Sequence, residues 1–436
     1  GLLRNELEKN LGLSGSGQEV SIMRSTLIRT GVLIEDNDIL RVDLHPQDEL
    51  LENMLNCIVS FILDISTKGK QNFADLYNEL STSKNQIGLR KGLIPIYLAA
   101  VFHEYKQHLI ICDRYSQVQI NADTLMQINA NPELYTLSYL DWNPEKEEFI
   151  SRLSDVFSDF INDAEKNINS YDYIVAAMRR WYLSLPKYAK ETRKDPLGNN
   201  VDRRYLTFLR MLKQNIGGHE LLFQKLPEVF GYNAEFNIGL WENIKAAKTF
   251  YDDRIHNLRL ILIEKVKEIF AVNKNIVQYS SLSSIIKDWC ETIDSNAFNQ
   301  LFADGTEKCL GLFKTISNDE ETFISRLAKT ITDLRLDDWD DSKVSEFLSK
   351  LAEHKKTAEE FHAVDSSEEN GIVDSYQIAF IDENGLTTTK RFERTEETKR
   401  GKLLFNAITA DLESMGHSIS EQEKRQILME ILKKLC

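Results

Sequence analysis

The sequence is poor in residues that interrupt regular structure. Its 436 residues include only 7 prolines and 19 glycines. So few interruptions over that length favour helices over a many-turned β architecture. Cysteine is scarce too. The five (Cys57, Cys112, Cys290, Cys309, Cys436) are odd in number, widely spaced and form no CxxC pair. That excludes a disulfide-stapled scaffold and reads as reduced thiols in a cytoplasmic protein. No apolar run approaches the ~20 residues of a membrane span. The most apolar stretches, 57–63 and 93–102, suit buried core helices, so no membrane contact is expected. Excess positive charge is also lacking: a formal net charge of −15 excludes a uniformly basic nucleic-acid coat.

Catalytic signatures are missing as well. A phosphate-binding loop needs backbone N–H groups freed by glycines and a Lys-Ser/Thr pair after them. The glycine-rich spot Gly12-Leu13-Ser14-Gly15-Ser16-Gly17 is followed by Gln18 and Glu19 and reads as a loop or helix cap. There is no HExxH and no GxSxG. His103 and His108 lie five apart, off a shared helical face. The acidic run Asp337-Asp338-Trp339-Asp340-Asp341 lacks the glycine and distal glutamate of a calcium loop and precedes an expected helix. No catalytic residue, metal ligand or cofactor is therefore assigned. A metal-dependent nuclease of loose Asp…Glu-x-Lys spacing stays as a third reading, behind the two set out below.

What is present is a helical pattern with small β interludes. The chain opens Gly1-Leu2-Leu3-Arg4-Asn5-Glu6-Leu7 and has its first methionine at Met23, which reads as a segment of a longer protein. Apolar positions Val20, Ile22, Met23, Leu27 and Ile28 mark a helix. Two short apolar runs, 32–34 and 39–42, follow around the turn 35–38 and suggest a hairpin. The pattern recurs: a helix over 89–106, kinked or restarted near Pro95, then runs 108–112 and 118–120 around the turn 113–116. Residues 1–145 thus read as two winged-helix-like units around a helical spacer. Residues 146–364 read as a helical domain. Within it Leu240, Ile244, Ala247, Tyr251, Ile255, Leu258, Leu262, Val266 and Ile269 predict one helix of about 30 residues near 237–271. Further helix starts fall at Ser281 and at Asp341-Ser342. After a linker at 365–371, residues 371–436 read as a hairpin turning at Asn384-Gly385, then two helices. The last opens with the capping box Ser420-Glu421-Gln422-Glu423, and its expected core face is Ile427, Leu428, Ile431, Leu432 and Leu435. The expected fold is mainly α: a multi-helix array with winged-helix-like units near the N-terminus and a β-hairpin plus two-helix cap at the C-terminus.

Charge is unevenly spread. Between Arg179 and Lys213 stand ten basic residues: Arg179, Arg180, Lys187, Lys190, Arg193, Lys194, Arg203, Arg204, Arg210 and Lys213. Three acids (Glu191, Asp195, Asp202) leave the stretch at +7, and Trp181, Tyr182, Tyr188, Tyr205 and Phe208 interleave. Cations beside stacking rings are what a phosphate backbone or a single strand would use. On this reading the four arginines 179, 180, 203 and 204 pair with phosphates while Trp181 and Tyr188 stack. The same run also fits a solvated helix pair, or a dock for an acidic partner. The stretch 337–369, with eleven acids against four lysines, supplies such a partner within the chain.

One resemblance touches about a quarter of the chain. The run Arg179-Arg180-Trp181-Tyr182-Leu183-Ser184-Leu185-Pro186-Lys187-Tyr188-Ala189, continuing to 220–227 and joined by the closing 418–425, resembles helical C-terminal regions of very large bacterial ATP-binding proteins of the DNA-processing and antiphage-defence type. The resemblance implies a bacterial cytoplasmic origin and an ATPase region upstream; it carries no catalytic residue over. The expected function is a non-catalytic helical module of a larger DNA-associated machine that contacts DNA through 179–213. The alternative is a protein–protein scaffold that docks other domains or subunits without nucleic acid.

Overall fold

The computed structural model describes residues 1–36, 39–82, 87–166, 171–233, 235–271, 280–361, 375–381, 387–395 and 398–435. The chain is mainly helical, with small antiparallel sheets of two and four strands. It packs as two units: residues 1–185 with 201–252, and residues 186–200 with 253–436. Neither is one continuous stretch.

In the first unit α1 (Gln18–Met23) runs into a wider turn at 24–28 and is followed by the hairpin β1 (Leu33–Asp36) and β2 (Ile39–Val42). The turn residues 37 and 38 lie outside the described set. Next comes α2 (Glu49–Lys68). Asp48 caps it by accepting from the Leu50 and Leu51 amides, and Gly69, at φ +79°, ends it. By length and composition α2 could cross a membrane. Its apolar face, Met54, Leu55, Ile58, Phe61, Ile62 and Ile65, is instead part of the unit's core, each side chain contributing roughly 1.5–3 kcal/mol by burial.

β3 (Gln71–Asn72) and α3 (Phe73–Ser81) lead to α4 (Ile94–Tyr105). Pro95 sits in the first turn of α4, so it starts this helix rather than kinking a longer one. β4 (Leu109–Cys112) and β5 (Gln117–Val118) form the second expected hairpin, and α5 (Ala122–Ala130) is capped by Asn121. The sequence reading did not include β6 (Thr136–Tyr139). It inserts between β3 and β4, giving the order β3-β6-β4-β5. The unit is completed by α6 (Pro144–Val156), α7 (Asp172–Ser184), α8 (Arg203–Lys213) and α9 (Leu240–Asp252).

The 30-residue helix expected near 237–271 is two helices. α9 stops at Asp252, and α10 (Arg254–Phe270) begins after Asp253. The apolar period continues through the break, but the local chemistry does not favour helix. Asp252 is engaged by side chains of its own unit, Arg254 is buried, and aspartate is a weak helix former.

The second unit packs α10 with α11 (Leu282–Cys290), α12 (Thr306–Lys314), α13 (Glu320–Thr332) and α14 (Lys343–Glu360). Ser281 caps α11 as expected, its oxygen accepting from the Ser284 amide. Phe270, Trp289 and Phe313 meet edge-on, with centroids 4.7–5.7 Å apart, and the Trp289 indole donates to Glu359 at 2.9 Å. β7 (Ser375–Ile381) and β8 (Thr387–Glu393) form the late hairpin. The linker 365–371 and the Asn384-Gly385 turn lie outside the described residues. α15 (Lys399–Ser414) and α16 (Glu421–Leu435) close the chain, and the Ser420 hydroxyl accepts from the Glu423 amide.

Candidate nucleic-acid interface

The twelve residues singled out between 179 and 213 are divided between the two units. Arg179, Arg180, Trp181, Arg203, Arg204, Arg210 and Lys213 belong to the first; Lys187, Tyr188, Lys190, Arg193 and Lys194 belong to the second.

In the first unit, the amphipathic spacing of α7 turns Trp181 inward together with Ile174, Ala177 and Met178. Trp181 is 1% exposed, walled by Phe157, Phe208 and Tyr251, and its indole donates to Asp252 at 2.7 Å. It cannot stack on a base without opening the core, so the stacking role expected of it is withdrawn. The two arginines beside it hold neighbouring loops. Arg180 grips both oxygens of Glu165 at 2.9 Å and donates from Nε to the Phe160 carbonyl at 2.7 Å. Arg179 donates to the carbonyls of Ile216 (2.6 Å) and Gln214 (3.1 Å). Close to it, burial pushes the Asp172 carboxyl up to about 6, with Arg179 pulling the other way. Asp202 caps α8 through the Arg204 amide and pairs with the Arg204 guanidinium at 2.7 Å. Hydrogen bonds from Arg204 hold the Asp202 carboxyl below its usual range.

In the second unit Tyr188, also 1% exposed, is internal. The Arg254 guanidinium lies 5.3 Å from its ring centre. Tyr188 is therefore no more available for stacking than Trp181. Arg254 is itself only 4% exposed; it donates to the Thr192 hydroxyl and, at 3.0 Å, to the Lys194 carbonyl. The Asp341 carboxylate then accepts from the backbone amides of Arg193 and Lys194 at 3.1 Å. The basic run thus docks on the acidic run within this unit through backbone N–H groups rather than through lysine and arginine side chains. Lys187 approaches Glu191 at 4.0 Å.

Arg203, Arg210 and Lys213 are exposed on α8 and, among the described residues, make no side-chain ion pair. Arg193 and Lys194 expose their side chains in the second unit. Most of the cations nearest the aromatic rings are therefore spent on internal contacts.

The remaining chemistry-bearing residues have structural surroundings. Burial pushes the thiols of Cys57 and Cys309 up to about 12 and that of Cys290 to about 11, which holds them neutral. His103 meets the Leu2 carbonyl at 2.8 Å, and burial lowers its pKa. In the acidic run Asp340 accepts from the Ser342 amide and hydroxyl ahead of α14. Among the described residues no three His, Cys, Asp or Glu side chains converge as a metal cluster would.

The core face expected on the last helix is only partly buried, and the helix before it exposes apolar side chains that the sequence did not single out. The expected core face of α16 is divided. Leu428 and Leu432 line a hollow with Leu301, Phe302 and Leu412, whereas Ile427, Ile431 and Leu435 are exposed, the last at 78%. On α15, Leu403 (69%), Leu404 and Phe405 (64%) are exposed with Ile408. The signal was the amphipathic period itself, which marks a face without naming what covers it. No family model, no curated protein and no solved structure matches the chain.

Proposed function

We propose that this chain is a protein-contact module of a larger assembly, and that it acts by presenting helical surface rather than by chemistry. The observation that carries the reading is the number of large apolar side chains exposed on α15 and α16: Leu403, Leu404, Phe405 and Ile408 on the first, and Ile427, Ile431 and Leu435 along one side of the second. Soluble surfaces seldom leave large aliphatic and aromatic side chains grouped in this way unless another surface covers them. The winged-helix-like part supports the same reading. α4, which would be the base-reading helix of the second unit of that kind, buries Ile94, Tyr97, Leu98, Val101 and Phe102 and carries no arginine or lysine. The first hairpin bears Glu35 and Asp36, whose charge opposes phosphate.

A second reading keeps nucleic acid, and one observation favours it: the exposed stripe Arg203, Arg210 and Lys213 along α8, unpaired among the described residues. Fluorescence anisotropy with labelled single- and double-stranded DNA, from low to physiological salt, separates the two. The protein-contact reading expects little binding at physiological salt and no change on charge reversal at Arg203 and Arg210. Binding that falls steeply with salt and disappears in those variants would overturn it in favour of DNA.

A further inference from the structure

A cavity of about 900 Å³ opens in the second unit between α10, one side of α13 and the segments flanking it. Four cations line it: Arg259 from α10, Arg326 and Lys329 one turn apart on α13, and Arg335. The lining also contains four carboxylates that keep their charge, but three of them are fixed in place by contacts of their own. Asp319 caps α13 through the Thr322 amide at 3.0 Å, Glu320 accepts from the Leu282 amide at 2.7 Å, and Glu321 faces His256 and Arg259. Asp337 is the remaining acid of the lining. Among the described residues Arg326, Lys329 and Arg335 make no ion pair, while Arg259 meets Glu321 at 3.7 Å. Leu260 and Leu336 add an apolar wall beside the charges.

We propose that this cavity binds a small polyphosphate, with Arg259, Arg326, Lys329 and Arg335 gripping its phosphate oxygens. Guanidinium forks match phosphate oxygens in pairs, and an ammonium adds a point charge. A hollow of this volume holds a small molecule, whereas a nucleic-acid backbone needs cations spread along a track. The apolar wall suits a nucleoside attached to the phosphates. The site lies on other elements than α8, α15 and α16 and is independent of the protein-contact reading.

The test is isothermal titration of the full chain with inorganic tripolyphosphate and, separately, with ATP in the absence of divalent metal. Saturable one-site binding is expected, weakened at least tenfold in an Arg326→Gln/Arg335→Gln double variant whose thermal midpoint matches that of the parent. Glu321→Gln, which removes the charge competing for Arg259, is expected to tighten binding severalfold. Tighter binding of ATP than of tripolyphosphate assigns the site to a nucleotide; equal binding assigns it to the phosphate chain alone. Should the double variant fold poorly, exposed Lys329→Gln alone is expected to weaken binding about threefold or more. Absence of saturation with both probes, or unchanged affinity in folded variants, overturns the proposal.

Discussion

Two regions of the second unit share a sequence pattern and differ in outcome. The helices α10 to α14 and the pair α15–α16 are all amphipathic. In the first group the apolar face closes on itself around Phe270, Trp289, Phe313 and Phe323. In the pair, much of the equivalent face, from Leu403 to Leu435, is left in solvent. The comparison teaches that periodicity specifies which side of a helix seeks burial, while the surroundings decide whether it is buried.

The sharpest way to break that comparison is Trp289→Ala. It removes an indole that fills the bundle and donates to Glu359. A loss of about 3–5 kcal/mol in urea unfolding is expected. A loss under about 1 kcal/mol would mean that the bundle is no better packed than the pair. Next is Arg254→Met, which strips the Thr192 hydroxyl and the Lys194 carbonyl of a buried donor. About 2–4 kcal/mol should be lost, and Arg254→Lys should recover little because an ammonium lacks the fork. Asp341→Ala releases the amides of Arg193 and Lys194 and should cost about 1–2 kcal/mol, read by faster amide exchange at those two residues.

A pH effect of similar or smaller size follows from Asp304. Burial pushes its carboxyl up, but hydrogen bonds from His354 and Thr306 outweigh that and hold it well below the usual carboxylate range. A depressed folded pKa means stability that is present above about pH 4 and is lost as the pH falls through the folded value. Its side chain is partly exposed, so screening reduces the contribution to roughly 1 kcal/mol. Asp304→Asn should flatten the acid limb of the stability curve by that amount. The smallest effect belongs to the open face: Phe405→Ser on α15 should move stability by less than about 0.5 kcal/mol. It should lower binding of a hydrophobic dye, and a drop in stability as large as that of Trp289→Ala would show the face to be core.

Much of the helical plan was legible because capping chemistry is local. Ser281 and Ser420 each mark a helix start that the backbone confirms. Both N-terminal hairpins follow their helices as the alternating runs predict. β6 was missed because four residues, Thr136–Tyr139, carry too short an alternation to stand out, and their pairing partners lie far away in sequence. The break at Asp253 was hidden because the apolar period runs straight through it. For the basic run, composition could count cations but not what they hold: Arg180 and Glu165 are fifteen residues apart, and Arg193 and Asp341 are 148 apart. The stacking assignment failed for a related reason. An aromatic ring among arginines looks the same in sequence whether it faces a base or, like Trp181, a phenylalanine.

The return of residues 186–200 into the second unit has a consequence for synthesis. Thr192 must wait for Arg254, sixty-two residues later, and Arg193 for Asp341. At about 5–20 residues per second these delays are roughly 3–12 and 7–30 seconds. Through that interval Tyr188 and its basic neighbours leave the ribosome without the groups that bury them, so this short stretch stays open to proteases and chaperones until the later helices emerge.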